Sequence, residues 1–229
     1  MNPSNKSIQL RYEGIDAMEK RALTPYSSNA TAANLELTNT SGGTTSSRGY
    51  IYTNQLGPRG RPIAFVFAGD TDQADGSEIF VPAETMLNSV NAALLAEGHA
   101  YPLFYDTLYD DIREALSELA LNARGRRQNV WSADQTNSGF EWTGDVSTLP
   151  PVFPKLWRRI DDFIGDETFF DENRPMAGLK AWIEMMKPER VSVPSQGLFT
   201  GFDNLIEVTE DRVQMIVEPE KVVISSQTG

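Results

Sequence analysis

Hydrophobic positions along the chain repeat with two different periods. Ile8, Leu10 and Tyr12 alternate with polar neighbours, which predicts a half-buried strand over residues 7–16. Gly14 interrupts that alternation, and Ile15 leads into a loop that starts at Asp16. A second strand is predicted over 48–53. A third, Pro62–Ala68, is nearly all apolar and therefore expected to be buried on both faces. The turn signal Gly57-Pro58-Arg59-Gly60 between them makes the pair a hairpin. Helical spacing takes over at 85–97, where Met86, Leu87, Val90, Leu94 and Leu95 form one stripe and Gly98 is the expected C-cap. The clearest helix is 108–124. Leu108, Ile112, Leu116, Leu119 and Ala120 share a face, with aspartates at its start, arginines at its end and Gly125 as its stop. Between strands one and two, residues 25–47 are rich in Ser, Thr, Asn and Gly. A short helix over 30–37 and an exposed loop over 38–47, with Ser41-Gly42-Gly43 as a flexible centre, are predicted there.

The second part of the chain changes character after Asp145. Pro150-Pro151 and Pro154 read as a linker. An amphipathic helix follows at Pro154–Ile164, carrying Leu156, Trp157, Ile160 and Phe163, and another at 178–186. Two strand-like runs, 204–209 and 213–217, are joined by a short turn, and 221–225 reads as a third. The organisation expected is an α+β domain over residues 1–145 and a mixed α/β C-terminal extension over 146–229, with Trp142, Trp157 and Trp182 packing the extension.

Composition narrows the chemistry. The chain has 229 residues, no cysteine and one histidine, which excludes disulfide frameworks, thiolate metal sites, cysteine nucleophiles and multi-histidine metal sites. The net charge of −12 is spread along the chain: residues 1–140 carry 11 Lys+Arg against 16 Asp+Glu, and 141–229 carry 9 against 16. A broad basic face for gripping nucleic acid is therefore absent, and any phosphate contact must come from a few placed arginines and a divalent cation. No window approaches 18 uninterrupted apolar residues, so no membrane partner is expected. The opening Met-Asn-Pro-Ser-Asn-Lys has no apolar core of a signal peptide, and a cytoplasmic location is expected unless the N-terminus is truncated.

Arg11, Asp16 and Glu19 are spaced Arg-x4-Asp-x2-Glu across a strand exit, and Arg61 opens the buried strand. One carboxylate to activate water, another to hold a hard cation and two guanidiniums for phosphate oxygens would suit phosphodiester hydrolysis. The spacing alone is better explained by a surface ion pair between Arg11 and Glu19. Tyr101, Phe104 and Tyr105 could stack a base, Tyr105 being the best placed, whereas Phe104 suits packing. Arg124, Arg126 and Arg127 read as a solvated helix end, and His99 as a partly buried structural histidine.

The string Leu10-Arg11-Tyr12-Glu13-Gly14-Ile15-Asp16-Ala17-Met18-Glu19 resembles the signature of the staphylococcal-nuclease-like (thermonuclease) family. Three further segments match it in order: Arg59-Gly60-Arg61 before the apolar strand, the Val90-Asn91 helix running through Leu94 to Gly98 and Ala100, and Asn129-Val130-Trp131. The resemblance covers about residues 8–131. It implies an OB-type five-stranded β-barrel with about three helices. It also implies a Ca²⁺-dependent endonuclease or phosphodiesterase acting on DNA and/or RNA. Arg11 and Arg61 match the family's phosphate-binding arginines, Glu19 its general base and Asp16 a calcium ligand, while the backbone carbonyl of Ala17 stands at a second ligand position. Arg59 and Tyr105 are the expected substrate contacts. The chain departs from the family in having no Asp or Glu in residues 1–10, so the barrel's N-terminal strands and a second metal aspartate are missing. Ala17 and Met18 also replace the usual Thr and Pro. The alternative expectation is a catalytically degenerate OB-fold module that binds nucleic acid or a protein without cutting. For the extension, restricted substrate access, self-association and protein binding are all open.

Overall fold

Residues 7–40, 42, 46–57 and 59–226 are described in the computed structural model. The predicted first strand is split in two at the glycine that breaks its alternation. β1 (Arg11–Tyr12) and β2 (Ile15–Asp16) lie in different sheets, and Gly14 between them has φ +74°. A Cβ at Gly14 would meet Leu116 Cδ1 at 2.8 Å, so the close approach as well as the conformation calls for glycine. The short helix expected over 30–37 is present and begins earlier, as α1 (Tyr26–Leu37). Ser41 and Gly43 of the predicted flexible centre, Pro58 of the turn and residues 1–6 of the leader reading lie outside the described residues.

The hairpin is present as β3 (Gly49–Leu56) and β4 (Pro62–Ala68), antiparallel, with a register irregularity between Thr53 and Gln55. β4 is the centre of a three-stranded sheet, with β1 parallel on its other edge. The stripe predicted as one helix over 85–97 forms two, α2 (Ala83–Met86) and α3 (Val90–Ala96). Ser89 separates them, because its hydroxyl accepts the Ala92 N–H and starts a new helix. The end of α3 follows expectation. Gly98 at φ +72° and His99 donate backwards to Leu95 O and Leu94 O, the paired bonds of a Schellman close. β5 (Tyr101–Pro102) pairs with β2, and β6 (Phe104–Tyr105) follows at once.

α4 (Asp110–Gly125) buries Ile112, Leu116, Ala120 and Ala123. It ends at Gly125 as expected, although that glycine is not the left-handed residue of its close. The left-handed residue is Arg127, at φ +54°, and the helix closes through Arg127 and Gln128 N–H groups.

In the second half, the proline-rich stretch read as a linker is core. Leu149, Val152 and Phe153 are buried, since apolar residues between prolines supply surface to bury even where no helix or strand can form. β7 (Phe140–Glu141), α5 (Pro154–Ile164), α6 (Leu179–Met186), β8 (Arg190–Val193), β9 (Leu198–Gly201), β10 (Ile206–Val208), β11 (Arg212–Met215) and β12 (Val223–Ile224) complete the order. The β8–β9 hairpin was not legible in the sequence. β10 and β11 form the expected hairpin, with β7 on its other edge, and β12 joins β8 to β6.

The result is a mixed α+β fold with six helices and four sheets, none closed on itself among the described residues. Strands from both sides of residue 145 share sheets: β6 pairs with β12 in parallel, and β7 with β11. One hydrophobic cluster runs from Ile15 through Phe104 and Leu116 to Trp157, Trp182 and Ile224. Among the described residues no helix is long and apolar enough to cross a membrane.

Candidate functional site

β2 ends at Asp16, and the chain then turns with Met18 buried beneath it, so that Asp16 and Glu19 emerge at the edge of the core. Both carboxylates meet one side chain that the sequence reading did not single out. Arg158, on α5, donates from one terminal nitrogen to Asp16 Oδ2 at 2.6 Å and from the other to Glu19 Oε1 at 2.9 Å. Burial works against a charged guanidinium here, but Asp16 and Glu19 outweigh it and push the Arg158 pKa above its ordinary value. The surface pair imagined between Arg11 and Glu19 is replaced by this bridge. Next to it, Arg21 pairs with Asp161, also on α5, and its guanidinium lies over the Trp157 ring.

Arg11 faces the same helix by way of Tyr105. Its guanidinium carbon lies 5.8 Å from the Tyr105 ring centroid, and Lys155 Nζ lies 5.8 Å from the same centroid. Lys155 also donates to Glu189, which Arg159 engages from one turn further on. α5 therefore turns two cations, Lys155 and Arg158, toward the segments that carry Tyr105, Asp16 and Glu19, while Arg159 is held by Glu189. The opposite stripe of α5, Leu156, Trp157, Ile160 and Phe163, is fully in the core. A helix with a basic polar face in a chain whose candidate site is acidic was the available signal for Arg158. Local spacing could not reveal it, because 142 residues separate it from Asp16.

The remaining predicted residues distribute as follows. Arg61 is half-buried and precedes β4. Arg11 registers with Ile63, so Arg61 falls one strand repeat before Arg11's partner, on the same side of the pleat. Arg59 is exposed in the β3–β4 turn. Neither arginine forms an ion pair among the described residues. Tyr105 is half-buried with two cations near its ring, whereas Tyr101 and Phe104 are sealed in the core and unavailable for stacking. Tyr101 instead donates to Asp134 at 2.8 Å. Arg124 is not a solvated helix-end cation. It makes two bonds to the buried Glu220, at 2.8 and 2.7 Å, and lies 4.4 Å over Trp131, while Arg126 and Arg127 are exposed as expected.

Two buried polar groups hold this edge in place. Asn91 accepts the Val66 N–H and donates to the carbonyls of Glu13 and Ala64, which ties α3 to β4 and to the segment between β1 and β2. Glu13 points to a cleft of about 850 Å³ lined by Tyr50, Tyr52, Phe80 and Tyr109. Burial raises its pKa from the ordinary glutamate value, against the Gln55 hydrogen bond, the Gly14 N–H and the Arg11 charge.

A Ca²⁺ ion takes six to eight oxygen ligands. Here the two carboxylates nearest the expected position are both engaged by Arg158, and among the described residues no group of three or more Asp, Glu or His side chains is arranged to hold a metal. No family model matches the chain, and no curated protein matches it.

Proposed function

We propose that this chain binds nucleic-acid phosphodiesters over the Arg11–Tyr105–Arg158 surface and hydrolyses them by in-line attack of water, with Glu19 as the general base. The observation that supports this is the convergence of Asp16 and Glu19 on one guanidinium at the exit of β2, at 2.6 and 2.9 Å. Glu19 gives Oε1 to Arg158, and its side chain stays 39% exposed, so Oε2 remains free to take a proton from water. The new bond forms between that water oxygen and phosphorus, the ester P–O bond on the opposite side breaks, and the departing oxygen takes a proton from solvent. Arg11, Arg61 and Arg158 offset the charge that builds on the equatorial oxygens, Arg59 contacts a flanking phosphate and Tyr105 stacks a base. The finer fold reading that accompanies this proposal is an OB-type barrel lacking its first strands.

The test is cleavage of labelled single- and double-stranded DNA and RNA, with Ca²⁺ and with chelator, by the wild-type chain and Glu19→Gln. Loss of a general base predicts a fall of roughly 100-fold or more at unchanged fold. A variant as active as the wild type rejects the role of Glu19. A second reading, binding without cleavage, is favoured by the engagement of both carboxylates by Arg158. It predicts that the same oligonucleotides are retained intact.

A further inference from the structure

We infer that Arg158 is the resident cation of the Asp16–Glu19 site, taking the place beside Asp16 that the resemblance gives to a divalent metal, so that the site handles phosphate without a divalent ion. This rests on the phosphodiester reading of the surface. Three observations carry it. The bridge uses one oxygen of each carboxylate and a separate nitrogen of the guanidinium, which is the geometry by which a single cation joins two carboxylates. The side chain is 31% exposed, and only two of its five N–H donors are engaged among the described residues, which leaves donors for phosphate oxygens. Finally, α5 is rooted by Leu156, Trp157, Ile160 and Phe163, all buried, so Arg158 is no detachable plug: removing its helix would mean opening the shared core.

With Asp16 and Glu19 supplying two negative charges and Arg158 one positive, Arg11, against the Tyr105 ring, adds positive charge for an incoming phosphate.

The experiment has two arms on the full chain. Ca²⁺ is titrated calorimetrically into wild type and Arg158→Met, and a fluorescent single-stranded DNA oligonucleotide is titrated with each in Ca²⁺ and in EDTA, with circular dichroism to confirm folding. The expected result is no Ca²⁺ uptake by wild type, millimolar uptake by Arg158→Met, oligonucleotide affinity of the wild type equal in both buffers, and a loss of about tenfold or more in EDTA for the variant. Wild-type Ca²⁺ uptake that Asp16→Asn abolishes overturns the inference. So does an Arg158→Met chain that is folded yet takes up no Ca²⁺. Should Arg158→Met not fold, the wild type still decides: a Ca²⁺-strengthened oligonucleotide affinity overturns the inference and equal affinities uphold it. A wild type that binds no oligonucleotide in either buffer rejects the phosphodiester reading instead, and the Ca²⁺ titration then decides the place of Arg158 by itself.

Discussion

A guanidinium that donates to two carboxylates on one turn of chain fixes three side chains at once, and it lets a protein with a net charge of −12 keep two acidic groups side by side. The same logic operates at Glu189. Burial pushes its carboxyl up, but Lys155 and Arg159 together hold it below the usual range. Its folded pKa is depressed, so its contribution to stability is present above the ordinary glutamate value and is lost as pH falls through the folded value. Glu189→Gln leaves two largely buried cations unmatched and is expected to cost about 3 kcal/mol in urea denaturation at pH 7, shrinking toward zero in acid. A pH-independent cost would reject the pairing as its cause. The His99 pKa is also depressed, but for a different reason: burial disfavours its charged form, whereas pairing favours that of Glu189. The His99 side chain is 14% exposed at the close of α3, and burial lowers its pKa against the pull of Glu97. On acidification the unfolded chain takes up the proton first. Its share of stability is thus complete above about pH 6.5 and declines as pH falls toward the folded pKa. As His99 is the chain's one histidine, its ring protons are a single NMR signal, expected to titrate below 6.5. A midpoint at or above that value would count against burial as the controlling cause.

The elements themselves differ in how far they were legible. Where a periodic pattern and its stop signal lie within a dozen residues, reading and structure agree: β4 and α5 have the predicted bounds, and α3 ends at the predicted glycine. Elements whose existence depends on distant partners did not show. β5 and β6 are two residues each, too short to carry a period, and are strands only because another segment lies alongside; β1, β2 and β12, equally short, fall inside the runs predicted over 7–16 and 221–225. The same distance limit hid Arg158. Asp16, Glu19 and Arg11 were legible as candidates because their spacing is local, whereas the cation they face comes from a different element. Gly98 offers a test of what that predicted stop contributes. A Cβ there would lie 2.6 Å from Gln128 O, whereas at Gly197, also left-handed at φ +60°, it would meet nothing within 4 Å. Gly197→Ala should therefore cost only the conformational term, about 1 kcal/mol, and Gly98→Ala that term plus a backbone clash, about 3 kcal/mol in all. Equal costs in urea denaturation would show that α3 and the Gln128 turn can part without loss.

At the level of the whole molecule the question is whether the first 145 residues stand alone, as their α+β pattern implied. The structure gives them several debts to the rest of the chain. β6 has β12 as its strand partner, and β7 has β11. The buried Glu220 neutralises Arg124 over Trp131. Thr136 receives the Phe153 N–H and donates to Asp134, which accepts from Tyr101. Leu156, Ile160 and Phe163 of α5, each contributing about 1.5–3 kcal/mol by burial, lie in the same hydrophobic cluster as Leu116 and Phe104. A typical domain is stable by only about 5–15 kcal/mol, so losing these three side chains alone would consume much of that margin. A fragment ending at residue 145 is therefore expected to lack a cooperative thermal transition and to expose apolar surface to a hydrophobic dye, while the full chain melts in one step. If the fragment instead melts cooperatively and binds oligonucleotide as the full chain does, the site belongs to the first unit and the bridge from Arg158 is incidental to it. A fragment that neither folds nor binds makes the second half a structural part of the site, with α5 supplying the cation that the first half lacks.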